Sequence, residues 1–160
     1  MDETAFWKIV QDAHDASGGD MERKCYALRH QIPSLSKADA IEFAQFFDAM
    51  MAKAHSFPLW GAAYVINGGC SDDTFDDFCS SLISRGRQAF ERALSDPDAL
   101  ADDPDESDWF HEGYQYAVTD GVEAVGGQRP QRAMPSQPAG VAWQEDELGA
   151  LFPKLSAKFG

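Results

Sequence analysis

Apolar residues return every three or four positions through most of this chain, and strong stops divide the runs. The stops are Gly18-Gly19, Pro33, Asn67-Gly68-Gly69 and Asp96-Pro97. Between them lie Phe6, Ile9, Val10 and Ala13, then Met21, Cys25, Leu28 and Ile32, then Ile41, Ala44, Phe47, Met51 and Ala54. Phe43, Phe46 and Met50 widen the third stripe, which marks a helix with neighbours on more than one side. Phe75, Phe78, Leu82 and Ile83 follow, then Phe90, Ala93 and Leu94. The two-residue alternation of a half-buried strand appears nowhere at convincing length. A helix with one apolar face must bury it against another helix. The pattern therefore predicts an all-α, compact single-domain bundle of about six to eight helices. Phe6, Phe47, Met51, Phe75, Phe78, Leu82 and Phe90 are expected in its core.

Local chemistry places the boundaries. Asp2, Ser36 and Ser71 are expected N-caps, and Pro58 suits the first turn of a helix over Phe57–Asn67. A further helix is expected from Trp109 to Val125, weakened by Gly113 and Gly121. Residues 126–140 hold three prolines, three glycines, three glutamines and two arginines, the composition of a flexible or polyproline-like loop. Too little chain follows for a second core, so residues 1–160 read as one domain. Its tail carries a short helix over about Glu145–Phe152, docked through Trp143, Leu148, Leu151, Phe152, Leu155 and Phe159.

Composition narrows the classes of function. The formal net charge is −14, which argues against binding duplex nucleic acid or an anionic membrane. It permits a basic protein or a metal ion as partner, and it also serves solubility alone. No apolar run approaches the roughly 20 residues of a membrane span. The start, Met-Asp-Glu-Thr, lacks the basic and apolar regions of a secretory signal. Cys25, Cys70 and Cys79 are odd in number and irregular in spacing, which suits reduced thiols. A cytoplasmic protein is the expectation.

One stretch is distinctive: Leu59-Trp60-Gly61-Ala62-Ala63-Tyr64-Val65-Ile66-Asn67-Gly68-Gly69-Cys70-Ser71-Asp72-Asp73, continuing through Phe75, Asp77-Phe78 and Leu82-Ile83 to Ser84-Arg85-Gly86-Arg87. With Phe6-Trp7 and Ile9 near the start and Phe152-Pro153-Lys154-Leu155 near the close, it resembles the bacterial family "domain of unknown function 4240". Cys79 and Ser81 stand where that family's pattern has arginine and tryptophan. The resemblance implies a bacterial cytosolic protein, and no activity, cofactor or partner.

Several constellations are candidate sites. Asp72, Asp73, Asp76 and Asp77 sit one helical turn apart in pairs and offer oxygen ligands for Mg²⁺ or Ca²⁺. The alternative is that they complement the dipole of a helix capped by Ser71. We expect no tightly bound zinc, because the histidines and cysteines lack ligand spacing, and at most weak Mg²⁺ or Ca²⁺ at these aspartates. Trp60, Tyr64 and Asn67 share helical spacing beside Cys70 and Ser71, where one helix ends and the next begins. Such a junction binds a ligand through its amides or is simply close packing, with the two aromatics filling core. Asn67 is the better ligand candidate. Cys70 at a helix start suggests a nucleophile, but neighbouring aspartates oppose its ionisation.

The run Asp96–Glu112 holds eight acidic residues and no lysine or arginine. A run of this kind is either a solvated loop or a docking surface for a basic partner. On the docking reading Asp102, Asp103, Asp105, Glu106 and Asp108 supply the charge and Trp109, with Phe110, the apolar anchor. Replacing Asp102, Asp103, Asp105 and Glu106 by amides is then expected to leave folding nearly intact. These features favour a non-enzymatic acidic protein that binds a basic macromolecule, immunity-like or regulatory. The alternative is an enzyme, or a small-ligand or divalent-metal protein, with its site at the Asn67–Asp77 junction.

Overall fold

A computed structural model describes residues 1–103, 108–129 and 135–160. The fold is all-α, with no strand among the described residues and one isolated bridge, Ser56 to Ala139. The helices are α1 (Glu3–Ser17), α2 (Met21–Gln31), α3 (Lys37–Ala54), α4 (Phe57–Asn67), α5 (Asp72–Ile83), α6 (Arg87–Ser95), α7 (Gly113–Ala124), α8 (Leu148–Leu151) and α9 (Pro153–Phe159). Short 3-10 turns run over Ile32–Ser34, Pro97–Asp102 and Glu145–Glu147.

The helix starts are fixed by side-chain caps. Asp2 accepts from the Ala5 amide, Asp20 from Arg23, Ser36 from Asp39, Ser56 from Leu59 and Ser71 from Thr74. Helix α4 stops where Gly68 takes φ 67°, a left-handed conformation that glycine adopts without steric penalty. Helix α3 lies at the centre, against α1, α5 and α7, and α2 packs between α1 and α7. The seven expected core residues are all buried, with Phe6 and Phe47 fully inaccessible.

Three segments differ from expectation for reasons of packing. The stretch after Asp96 is no solvated loop: Pro97–Asp102 coils into a 3-10 turn that buries Leu100. Helix α7 begins at Gly113, because Trp109 turns inward onto Phe78 and Phe159, its centroid 6.2 and 6.0 Å from theirs. The tail forms a 3-10 turn and two short helices where a single helix was expected, with Leu148, Phe152 and Leu155 buried. Residues 135–140 are tied back to the body. The Phe57 amide donates to Ala139 O (2.8 Å) and the Ala139 amide to His55 O (2.9 Å). No helix among the described residues is long and apolar enough to cross a membrane.

Candidate functional site

The α4–α5 junction is built by its aromatics. Trp60 Nε1 donates to the Cys70 carbonyl at 2.9 Å, and its ring stacks on Phe75 at 5.3 Å. Tyr64 turns the other way. It meets Trp143 edge-on at 5.2 Å, and its hydroxyl donates to the Glu145 carboxylate. The two rings therefore hold α5 and the C-terminal segment against α4 and do not converge on one ligand. Asn67 is exposed, its Nδ2 donating to Gly69 O at 2.9 Å. The Ser71 hydroxyl caps α5 and donates to Thr74 Oγ1 at 2.9 Å.

Cys70 is unsuited to nucleophilic work. Burial, reinforced by Asp72, pushes its thiol up to about 12, so it stays protonated at neutral pH. No disulfide joins the cysteines, and Cys25 is likewise raised by burial.

The four aspartates of α5 do not close around one point. Asp72 and Asp73 are exposed in the first turn, where they complement the helix dipole. Asp77 is half-buried and accepts from Gln115 Nε2 of α7 at 3.0 Å. Among the described residues, no three His, Cys, Asp or Glu side chains are grouped to hold a metal ion. The cluster is electrostatically tense. Burial lifts the Asp77 carboxyl above its ordinary value, and Glu112, Asp76 and Asp73 lift it further, against the Gln115 hydrogen bond. Glu112 stands there because Ser81 fastens the preceding residue. Ser81 Oγ donates to His111 O (3.2 Å) and accepts from the His111 amide (3.0 Å).

Within the run Asp96–Glu112, Asp98, Asp102 and Asp103 are engaged within the molecule. Asp103 is 4% exposed and ion-paired to Arg92 and, at 3.5 Å, to Arg85. The expectation that it is a solvent-exposed docking residue is thus corrected: two arginines from α5–α6 neutralise it inside. Asp98 accepts from the Lys154 and Leu155 amides (3.1 and 2.9 Å) and so caps α9 from outside the helix. Asp102 is exposed and faces Lys154 Nζ at 3.6 Å. Trp109 is buried, not an exposed anchor, with the Arg85 guanidinium 4.6 Å over its ring. Asp105 and Glu106 lie outside the described residues.

Two candidates that the sequence kept apart come together. Asn67 from the α4–α5 junction and Asp108 from the acidic run line the same open cleft, of about 320 Å³. Ile66, Trp109, Phe110, His111 and Phe159 form its remaining walls. Phe110 packs on Phe78, 5.4 Å between centroids, so the cleft adjoins α5 next to Asp77.

Sequence reasoning missed Lys24. It is 1% exposed, and its ammonium donates to Ser84 Oγ at 3.3 Å, while that hydroxyl donates to Ser81 O at 2.6 Å. The signal was present: position 24 falls on the same helical stripe as Met21, Cys25 and Leu28.

The chain belongs to the family described as "Protein of unknown function (DUF4240)", whose model matches residues 1–124. No curated protein matches the chain, and no solved structure does.

Proposed function

We propose that this is a non-catalytic binding protein, regulatory or inhibitory, that captures a basic macromolecular partner on the acidic face around the start of α5. The observation that carries the proposal is the gathering of Glu112, Asp76 and Asp73 about Asp77, whose carboxyl is raised first by burial and then further by these three charges. Carboxylates that repel one another on a surface gain stability when a cation arrives, so the charge is poised for an external partner. Asp72, Asp73, Asp77 and Glu112 have no ion-pair partner among the described residues. Asp108 and Asn67 continue this face into the adjoining cleft, which offers a partner's side chain apolar walls and polar ends. A protein of net charge −14 would draw a basic partner in by long-range attraction, and salt would slow the association.

The test is an affinity capture from native lysate at low and high salt. The control carries Asp72→Asn, Asp73→Asn, Asp77→Asn and Glu112→Gln, and its folding is checked by circular dichroism. The expected result is a basic protein retained at low salt, released at high salt and lost to the variant. Retention of no basic protein, or equal retention by the variant, would falsify the proposal. Salt-insensitive capture of a small molecule by the cleft would instead move the ligand-binding alternative ahead.

A further inference from the structure

At the opposite end of α4 from Asn67, the C-terminal segment leaves an apolar groove of about 370 Å³. Pro58, Val141, Trp143, Glu147, Leu151 and Phe152 line it. Its floor is built rather than incidental. Trp143 Nε1 donates to Phe57 O at 2.7 Å, and Gly61 lets Phe152 and Trp143 lie against α4. A Cβ on Gly61 would stand 2.7 Å from the Phe152 ring and 2.9 Å from Trp143 Nε1. The walls are open to solvent: Val141 is 87% and Leu151 52% exposed, two of the four large apolar side chains left exposed among the described residues. Exposed apolar residues gathered in one concave place mark a binding surface. Its charge is one-sided. Among the described residues Glu147 is the only charged one lining it, and Glu145 and Asp146 stand exposed beside it.

We infer that this groove seats a short peptide segment of a partner protein, one that places a large apolar side chain next to lysine or arginine. The apolar side chain enters between Val141, Leu151 and the Trp143–Phe152 floor, while the flanking cations face Glu147 and its acidic neighbours. The volume lies at the small end of ordinary ligand pockets, which suits one or two side chains and not a whole helix. Charge complementarity selects a basic segment over an acidic one or a second copy of this acidic chain. The inference rests on the proposed capture of a basic partner and adds a second contact, at the other end of α4, for an apolar anchor of that partner.

The test selects binders to the full-length chain from a random dodecapeptide display library. Affinities of the enriched peptides, made synthetically, are then measured for the wild type, for Val141→Gln with Leu151→Gln, for Glu147→Gln, and for the α5-face amide variant. The glutamines remove apolar surface at exposed positions without changing charge or threatening the core. The expected result is enrichment of a large apolar residue within a few positions of lysine or arginine. Affinity should fall about tenfold or more in the double glutamine variant, equivalent to about 1.4 kcal/mol, and by a smaller factor in Glu147→Gln. No enrichment, enrichment of acidic peptides, or equal binding by the double variant overturns the inference. So does sedimentation showing a dimer that the double variant dissolves, which would make a second copy the occupant. Basic peptides that ignore the groove variants but are lost to the α5-face variant would leave the proposed function standing and remove the groove from it.

Discussion

Two acidic segments of similar composition do opposite things in this molecule. Asp96–Glu112 runs without a lysine or arginine, yet three of its acidic residues are answered from within. Asp103 meets Arg85 and Arg92, Asp98 caps α9, and Asp102 faces Lys154. Asp72–Asp77 is shorter: Asp72 and Asp73 are exposed, and the half-buried Asp77 is raised by burial and then by Glu112, Asp76 and Asp73. A charge run thus predicts a solvated face only if its partners are not supplied by distant segments. Here those partners lie in the turn between α5 and α6, on α6 and on α9, and no local pattern announces them.

The comparison breaks first at Asp103. Asp103→Asn removes the anion between Arg85 and Arg92 and should cost about 3 kcal/mol, at the low end for disrupting a buried pair because Arg92 stays half exposed. Urea denaturation measures it; a loss under 1 kcal/mol would mean that the pair is not structural. Next is Asp98→Ala, which takes away the acceptor for two α9 amides and should cost about 1 kcal/mol. Hydrogen exchange would locate that loss in α9, and unchanged protection of Lys154 and Leu155 would contradict the capping role.

Smaller effects belong to the α5 segment and have the opposite sign. The folded-state value of Asp77 is raised, so between its unfolded and folded values the native state binds more protons. Stability from this group is therefore present at acid pH and lost as pH rises through the folded value. Asp77→Asn should raise stability at neutral pH by a few tenths of a kcal/mol and lose that advantage towards acid. A pH series of denaturation midpoints checks the crossing, and a variant destabilised at pH 7 would remove the argument from repulsion. Least of all should Cys70 respond to its surroundings in ordinary conditions. With its thiol near 12, alkylation at pH 7 should be far slower than for an exposed cysteine peptide. Rapid labelling of the folded protein would reverse that reading.

What the sequence made legible was local. The bounds of α4, Phe57–Asn67, follow from Pro58 and Asn67-Gly68-Gly69, with Ser56 closing the start. The caps of α1, α3 and α5 follow from Asp2, Ser36 and Ser71. Core faces were legible because helical spacing reports burial directly, and the distinctive stretch from Leu59 to Arg87 was enough to resemble the family that the chain belongs to. Long-range pairing was not legible. Trp109 looked like an exposed anchor because acidic residues surround it in sequence, while in space Phe78, Phe159 and Arg85 surround it. Asn67 and Asp108 are far apart along the chain, and only the docking of α9 and the segment after Asp108 puts them in one cleft.

The division between the two acidic segments is tested most directly by urea denaturation of Asp103→Asn and Asp77→Asn side by side at pH 7, each against the wild type. The account predicts midpoints that move in opposite directions, downward by a large step for Asp103→Asn and slightly upward for Asp77→Asn. Midpoints that both hold still, or that both fall by similar amounts, would contradict it.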